Sequence, residues 1–258
     1  TSVSDLLALD GKTNVAVNAS SVNSISETIA NLNTAYNSAG ISGLGNENIS
    51  ITNTGTITAA QINDLLGETS GTITLVGSGN LAITMTSGET LNLSGITNSL
   101  SGTLSITDST GNETITGTSA NDTLTLSSGN DTVNLGNGSD TINTTIGNLD
   151  TFDNISDGGS TGMDTLNITN SGTIDSANLI ASSGIETLNL SSGNDTITFD
   201  DTTEFNAFRN EFTNIVDADG NDNLSFGTSA VTGDLDFSKL NKFENLNLSS
   251  ANDNLTIS

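Results

Sequence analysis

DSTGNETIT, GTSANDTLT, LSSGNDTVN and LGNGSDTIN follow one another without a gap over residues 108–143. Each unit has the same plan. A small residue (Gly111, Ala120, Gly129, Gly138) stands two positions ahead of an acid (Glu113, Asp122, Asp131, Asp140). A Thr and then an aliphatic residue follow (Ile115, Leu124, Val133, Ile142). Tandem self-similarity of this kind is the mark of a solenoid, in which each unit buries its apolar side only by stacking on the next.

The same phrase recurs further along. Glu186 begins ETLNLSSGNDTITF and Glu244 begins ENLNLSSANDNLTI, which place Asp195 and Asp253 at matching positions. A longer period is also visible: SITNTGTITAAQI at 50–62 matches NITNSGTIDSANL at 167–179. Asp164 and Glu186, like Asp222 and Glu244, stand 22 residues apart, one coil length. Short alternating pairs lie between the acids, among them Leu91/Leu93, Leu166/Ile168, Leu188/Leu190, Ile197/Phe199, Leu224/Phe226, Leu246/Leu248 and Leu255/Ile257. Period-two alternation with Thr and Asn between reads as half-buried strand. Strands recurring at one coil length stack in parallel about 4.7–4.9 Å apart instead of folding into hairpins. The sequence has no Pro, which suits interior strands that all need their N–H.

The fold expected is therefore all-β: a right-handed parallel β-solenoid, of the β-helix or β-roll kind, with a few short helices. Residues 1–45 read as a partly helical connector or cap and 46–258 as one solenoid. Ile25, Ile29, Leu32 and Tyr36 predict a helix over 24–38. Phe205, Phe208, Phe212 and Ile215 predict another over 202–215, capped by Asp201 and Glu204 and bulging from the stack. Short helical turns are expected at 59–66 and 176–182. Thr1 in place of Met, and a motif running to the terminus, read as a piece of a longer repetitive protein. Residues 1–10 carry no basic segment of the kind that opens a cleavable signal peptide.

Composition narrows the function. Thirty acids face four bases, Lys12, Arg209, Lys239 and Lys242, for a net charge of −26. Nucleic acid and anionic membrane surfaces are poor partners for such a chain. No apolar run reaches the roughly 20 residues that span a bilayer. The absence of Cys and His removes disulfides, thiolate sites, imidazole bases and His-ligated metals.

Stacking also brings equivalent acids together. Carboxylates roughly 5 Å apart repel strongly where the dielectric is reduced, and there is almost no Lys or Arg to neutralise them. Ca2+ suits the donors that remain: carboxylates, backbone carbonyls and Asn oxygens. Gly129 and Gly138 let the backbone curl its carbonyls toward an ion. The plainer alternative is that Asn-Asp and Asp-Thr form ordinary turns held by Asx hydrogen bonds. The metal reading is placed on Glu113, Asp122, Asp131 and Asp140. For Asp195, Asp222 and Asp253, present as single copies, both readings stand open. Glu186 and Glu244 are read as solvated or hydrogen-bonded, and the Phe cluster at 205–212 as core. DADGND at 217–222 is not an EF-hand loop, whose Gly stands at position six and not four.

The units at 108–143 resemble the RTX, or hemolysin-type, calcium-binding nonapeptide G-G-x-G-x-D-x-U-x; LSSGNDTVN and LGNGSDTIN match it best. The wider text, rich in Thr, Ser and Asn, is similar to RTX-type surface-layer proteins of Gram-negative bacteria. The chain departs from the motif at Asp108, Leu126 and Leu135, which replace its first Gly, and at Ser109, Thr118 and Ser127, which replace its second. Glu113 replaces an Asp. The resemblance implies that two nonapeptides make one turn, so that the Glu113 loop pairs with the Asp131 loop and the Asp122 loop with the Asp140 loop. It implies calcium as the cofactor, type I secretion, and folding outside the cell. The function expected is a structural surface-layer (S-layer) protein, self-associating into an array at the cell surface, with cell-surface polysaccharide as a further partner and no insertion in the membrane. The alternative is a calcium-dependent adhesin binding a host or matrix ligand. A polysaccharide-cleaving enzyme is disfavoured, because polyuronate subsites need cations that this chain lacks, although a pair of acids alone is within its means.

Overall fold

A computed structural model describes every residue except 1, 157, 158, 160, 218, 230, 236, 237, 239, 241, 252 and 258. Every strand pairing it describes is parallel. The longest sheet has eight strands, running in order from Gly55–Thr58 through Leu81–Thr84, Leu104–Thr107, Asp122–Thr125, Thr141–Thr144, Thr165–Ile168 and Thr187–Asn189 to Asn214–Val216. Three four-stranded sheets form other faces of the stack. They centre on Thr114–Thr116 with Thr132–Asn134, on Thr196–Phe199 with Asn223–Phe226, and on Asn48–Ile51 with Ile73–Gly77.

The alternation in the sequence explains this architecture. At least one apolar residue of each long-sheet strand points inward, and the register sets these residues above one another. Ile57, Ile83, Ile106, Leu124, Ile142, Leu166, Leu188 and Ile215 make one continuous column, and all are buried. Burying each such side chain contributes about 1.5–3 kcal/mol. The polar residues between them stack outside. Asn189 donates to Asn167 at 2.6 Å and Asn167 to Asn143 at 2.8 Å, an amide ladder along the sheet. Of the alternating pairs read from the sequence, Leu248 is exposed, and the side chains of Leu255 and Ile257 lie outside the described residues.

Coil length varies. The register advances by 18 residues between Glu113 and Asp131, 22 between Asp131 and Asp153, 24 between Asp140 and Asp164, and 27 between Asp195 and Asp222. Two nonapeptides thus make one turn where they are tandem, and longer coils carry inserts. The inserts include the helices Ala59–Leu66 and Ser176–Ile180, where short helical turns were expected. Thr58 and Gln61 cap the first of these reciprocally.

Two boundaries differ from the sequence reading. Stacking begins ahead of residue 46: Ser24–Glu27 pairs with Asn48–Ile51, and Val17–Asn18 pairs with Ile41–Ser42. Ile25 reads equally well as the inward residue of a strand, and burial over Ile49 decides the matter, so the helix is only Ile29–Tyr36. The second predicted helix stops at Glu211, because Asn214–Val216 joins the end of the long sheet. Its Asp201 accepts from the N–H groups of Thr203 and Glu204 as an N-cap, while Glu204 reaches back to the Asp200 N–H. The helix is anchored in the core rather than bulging: Phe205, Phe208 and Phe212 are fully buried, with the first two edge-on to Phe199. No helix among the described residues is long and apolar enough to cross a membrane.

Glycine is required where one coil rests on the next. Gly129 has φ +152°, and a Cβ there would come within 1.4 Å of the Gly111 carbonyl oxygen in the coil below. Gly129→Ala is expected to destabilise the chain by about 2 kcal/mol or more, through strain at positive φ and forced separation of the coils. Thermal melts of the variant check this; an unchanged midpoint would contradict the close stacking.

Candidate metal centre

The acids ahead of the strands form ladders. In the first, Gly88 N–H donates to Glu113 Oε1 at 2.6 Å, Glu113 N–H to Asp131 Oδ1 at 2.8 Å and Asp131 N–H to Asp153 Oδ1 at 3.0 Å. In the second, Asp122 N–H donates to Asp140, Asp140 N–H to Asp164 and Asp164 N–H to Glu186, at 2.7–2.8 Å. In the third, Gly172, Asp195 and Asp222 N–H groups donate to Asp195, Asp222 and Glu244, at 2.6–2.9 Å. Each accepting carboxylate of the three ladders therefore uses one oxygen for a backbone N–H of the preceding coil, in most cases the N–H at or just ahead of a strand start, which burial would otherwise orphan. Charge-assisted bonds of this sort are among the stronger ones in a protein.

The second oxygen distinguishes the sites. At Asp195 it accepts from Ser191 Oγ at 2.9 Å. At Asp122 the carboxylate accepts from the N–H and hydroxyl of Thr118. Asp253 takes the hydroxyl of Ser249 and the N–H of Val231, which hold its carboxyl below the ordinary value. Glu113 Oε2 and Asp131 Oδ2, by contrast, are buried and meet no donor. A third acid joins them. Asp108 accepts from Ser127 N–H through Oδ2, but its Oδ1 is likewise buried and without a donor. Ligand oxygens of Asp108, Glu113 and Asp131 lie within 4.8 Å of one another, and all three residues are buried.

This arrangement fits a hard cation. Two oxygens bound to one ion at about 2.3–2.6 Å stand no more than about 5 Å apart, which is the spacing seen. Residues 13–208 contain no Lys, Arg or His, so no side-chain cation in that stretch neutralises the cluster. Burial without a counter-charge raises Asp131 and Asp108. Asp131 is pushed up to about 7 by burial, with the carboxylates of Asp108, Asp153 and Glu113 adding to it. Burial likewise raises Asp108 to about 6, against the N–H groups of Ser127 and Ser109. It raises Asp122 to about 6 as well, against its bonds to Thr118.

The structure thus brings Glu113 and Asp131 together, as the pairing of loops implied, and stacks Asp122 with Asp140 one coil apart. Asp195 and Asp222 stand on another ladder, and Asp253 stands apart from all three. Gly129 and Gly138 take positive φ, +152° and +142°, and permit close contact between coils. Three acids of these ladders and clusters are not among the candidate ligands read from the sequence: Asp153, Asp108, which reads there only as a departure from the motif, and Asp164, which reads there only as marking one coil length. The signal for Asp108 was present, since it stands five residues ahead of Glu113, where the third and fourth units have Leu126 and Leu135. Register places it directly opposite Leu126, so its side chain points inward.

Fold and site define a calcium-binding parallel β-roll. The RTX calcium-binding nonapeptide repeat is the family whose model matches the chain, in four copies over residues 107–142 and 180–198. No curated protein and no solved structure matches it. The chain carries RTX repeats, and the ion these repeats bind is calcium.

Asp131→Asn keeps the acceptor for Glu113 N–H and removes the charge. It is expected to weaken calcium binding by at least about tenfold, since affinity follows the number of charged ligands. Glu186→Ala, which removes only the acceptor for Asp164 N–H, is expected to cost about 1 kcal/mol of stability and to leave that site intact. Calorimetric titration of both variants checks the ranking; equal losses of bound calcium would overturn it.

Proposed function

We propose that the chain is a structural part of a calcium-stabilised surface layer, exported by type I secretion and assembling on the bacterial cell surface, and that it is not an enzyme. The observation that carries this reading is the direction of the acids. Their carboxylates bind coil to coil within the stack and are buried, so the ion they suit is a fastener of the fold rather than a reagent at an open cleft. A net charge of −26 keeps copies apart until divalent ions neutralise or bridge them. The long regular faces of the stack suit repeated contacts between copies. In a cytosol poor in calcium the buried acids oppose folding, which suits export of an unfolded chain.

A second reading, a calcium-dependent adhesin, draws on the exposed apolar side chains Phe152 and Met163. Electron microscopy separates the two. The surface-layer reading expects ordered sheets in millimolar calcium that disperse in chelator. Protein that stays monomeric at all calcium concentrations, while binding a host glycan or protein, would establish the adhesin instead.

A further inference from the structure

We propose that Asp217 and Asp222 hold a second divalent cation of calcium's size, outside the matched repeats, on a build that copies the first. The proposal rests on the calcium reading of the Asp108 cluster, and the two centres share their construction. Asp108, Gly111, Asn112 and Glu113 recur as Asp217, Gly220, Asn221 and Asp222 with identical spacing.

Register gives the two leading acids the same place. Asp108 stands opposite Leu126, one residue past the Thr107–Thr125 pair. Asp217 stands opposite Leu190, one residue past the Asn189–Val216 pair. Leu126 and Leu190 are buried, so this position faces inward. A carboxylate placed there must find compensation for lost water. Close glycine contact between neighbouring coils recurs at both centres. Gly129 rests on the Gly111 carbonyl, and Gly220, at φ +144°, rests on the Gly193 carbonyl, whose oxygen lies 2.5 Å from where a Cβ would be.

The polar bookkeeping points to a ligand. Asp222 has no exposed surface. Its Oδ1 accepts from Asp195 N–H at 2.6 Å, and its Oδ2 is buried with no donor. Asp217 Oδ1 is also buried with no donor. The two carboxyls lie within hydrogen-bonding reach of each other, acceptor against acceptor. Burial raises Asp222 to about 6, with Asp217 and Asp195 adding to the effect. A cation between the two oxygens satisfies both, and carboxylate oxygens are the donors that calcium sites draw on first.

Equilibrium dialysis against radioactive calcium, with wild type, Asp217→Leu, Asp131→Asn and the double variant, tests this. Leucine is what the coil below has at the same place, so Asp217→Leu should keep the fold, as circular dichroism will show. If it does not fold, Asp217→Asn serves with the same readout. The expected result is that Asp217→Leu binds one ion fewer than wild type, that Asp131→Asn loses a different ion, and that the double variant loses both. In chelator, Asp217→Leu should also melt above wild type, because a buried repulsion has been removed. If Asp217→Leu binds as many ions as wild type with the same affinity, while Asp131→Asn loses one, the second site is wrong and the first stands. If wild type binds no calcium, both fall.

Discussion

Excess chelator is expected to lower the melting temperature of the chain by about 10–20 °C relative to saturating calcium. Ions that bind only the folded chain stabilise it by about 2.7 kcal/mol per site at a hundredfold excess over Kd. Two such sites supply about 5 kcal/mol, and at this chain length each kcal/mol moves the midpoint by about 2–4 °C. The physical source is the cluster itself. Without the ion, three buried carboxylates bring oxygens within 4.8 Å of one another, and each keeps one buried oxygen with no donor. Differential scanning calorimetry with and without chelator reads the shift. An unchanged midpoint would mean that the acids serve the fold through their N–H bonds alone.

The pH dependence of stability should reverse sign with calcium. Asp108, Asp122 and Asp222 are pushed up to about 6 and Asp131 to about 7 in the folded, metal-free chain, chiefly by burial. Unfolding returns each to the ordinary aspartate value of about 3.9. Between about pH 4 and 7 the folded state therefore holds more protons than the unfolded one, and stability falls as pH rises. In chelator, the melting temperature should climb as pH is lowered from 7.5 to about 5. With calcium the ion takes the place of the protons, and acidification displaces it, so the midpoint should fall over the same range. Asp253, whose carboxyl is lowered, acts in the opposite sense but only below about pH 4, outside this window. Melts at a series of pH values in both conditions decide it; two curves falling together toward acid would contradict the burial of the acids in the metal-free fold.

Much of this was legible in the sequence, because a solenoid repeats its chemistry at intervals that can be counted. The small residue–x–acid–Thr–aliphatic unit locates the strands, and two units per turn set Glu113 beneath Asp131. The short helical turn expected at 59–66 is present as Ala59–Leu66. What escaped depends on register between distant coils. Asp153 and Asp164 belong to ladders because coils of 22 and 24 residues bring them over Asp131 and Asp140; a 22-residue period is legible in the sequence, but which acid stands over which follows only from the register of each coil. Asp108 looked like a lost glycine. Its inward direction appears only when Thr107 is set against Thr125. Residues 24–27 carry an apolar spacing that serves helix and strand alike, and stacking on Ile49 makes the choice.

One calcium ion shared by Asp108, Glu113 and Asp131 would fasten two coils together. A crystal structure of the protein grown in calcium tests it most directly. The expected result is a strong peak between the three carboxylates, with Asp108 Oδ1, Glu113 Oε2 and Asp131 Oδ2 each about 2.3–2.6 Å from it. Carboxylates turned out to solvent, or joined only through water at ordinary hydrogen-bond distances with no ion between them, would contradict it.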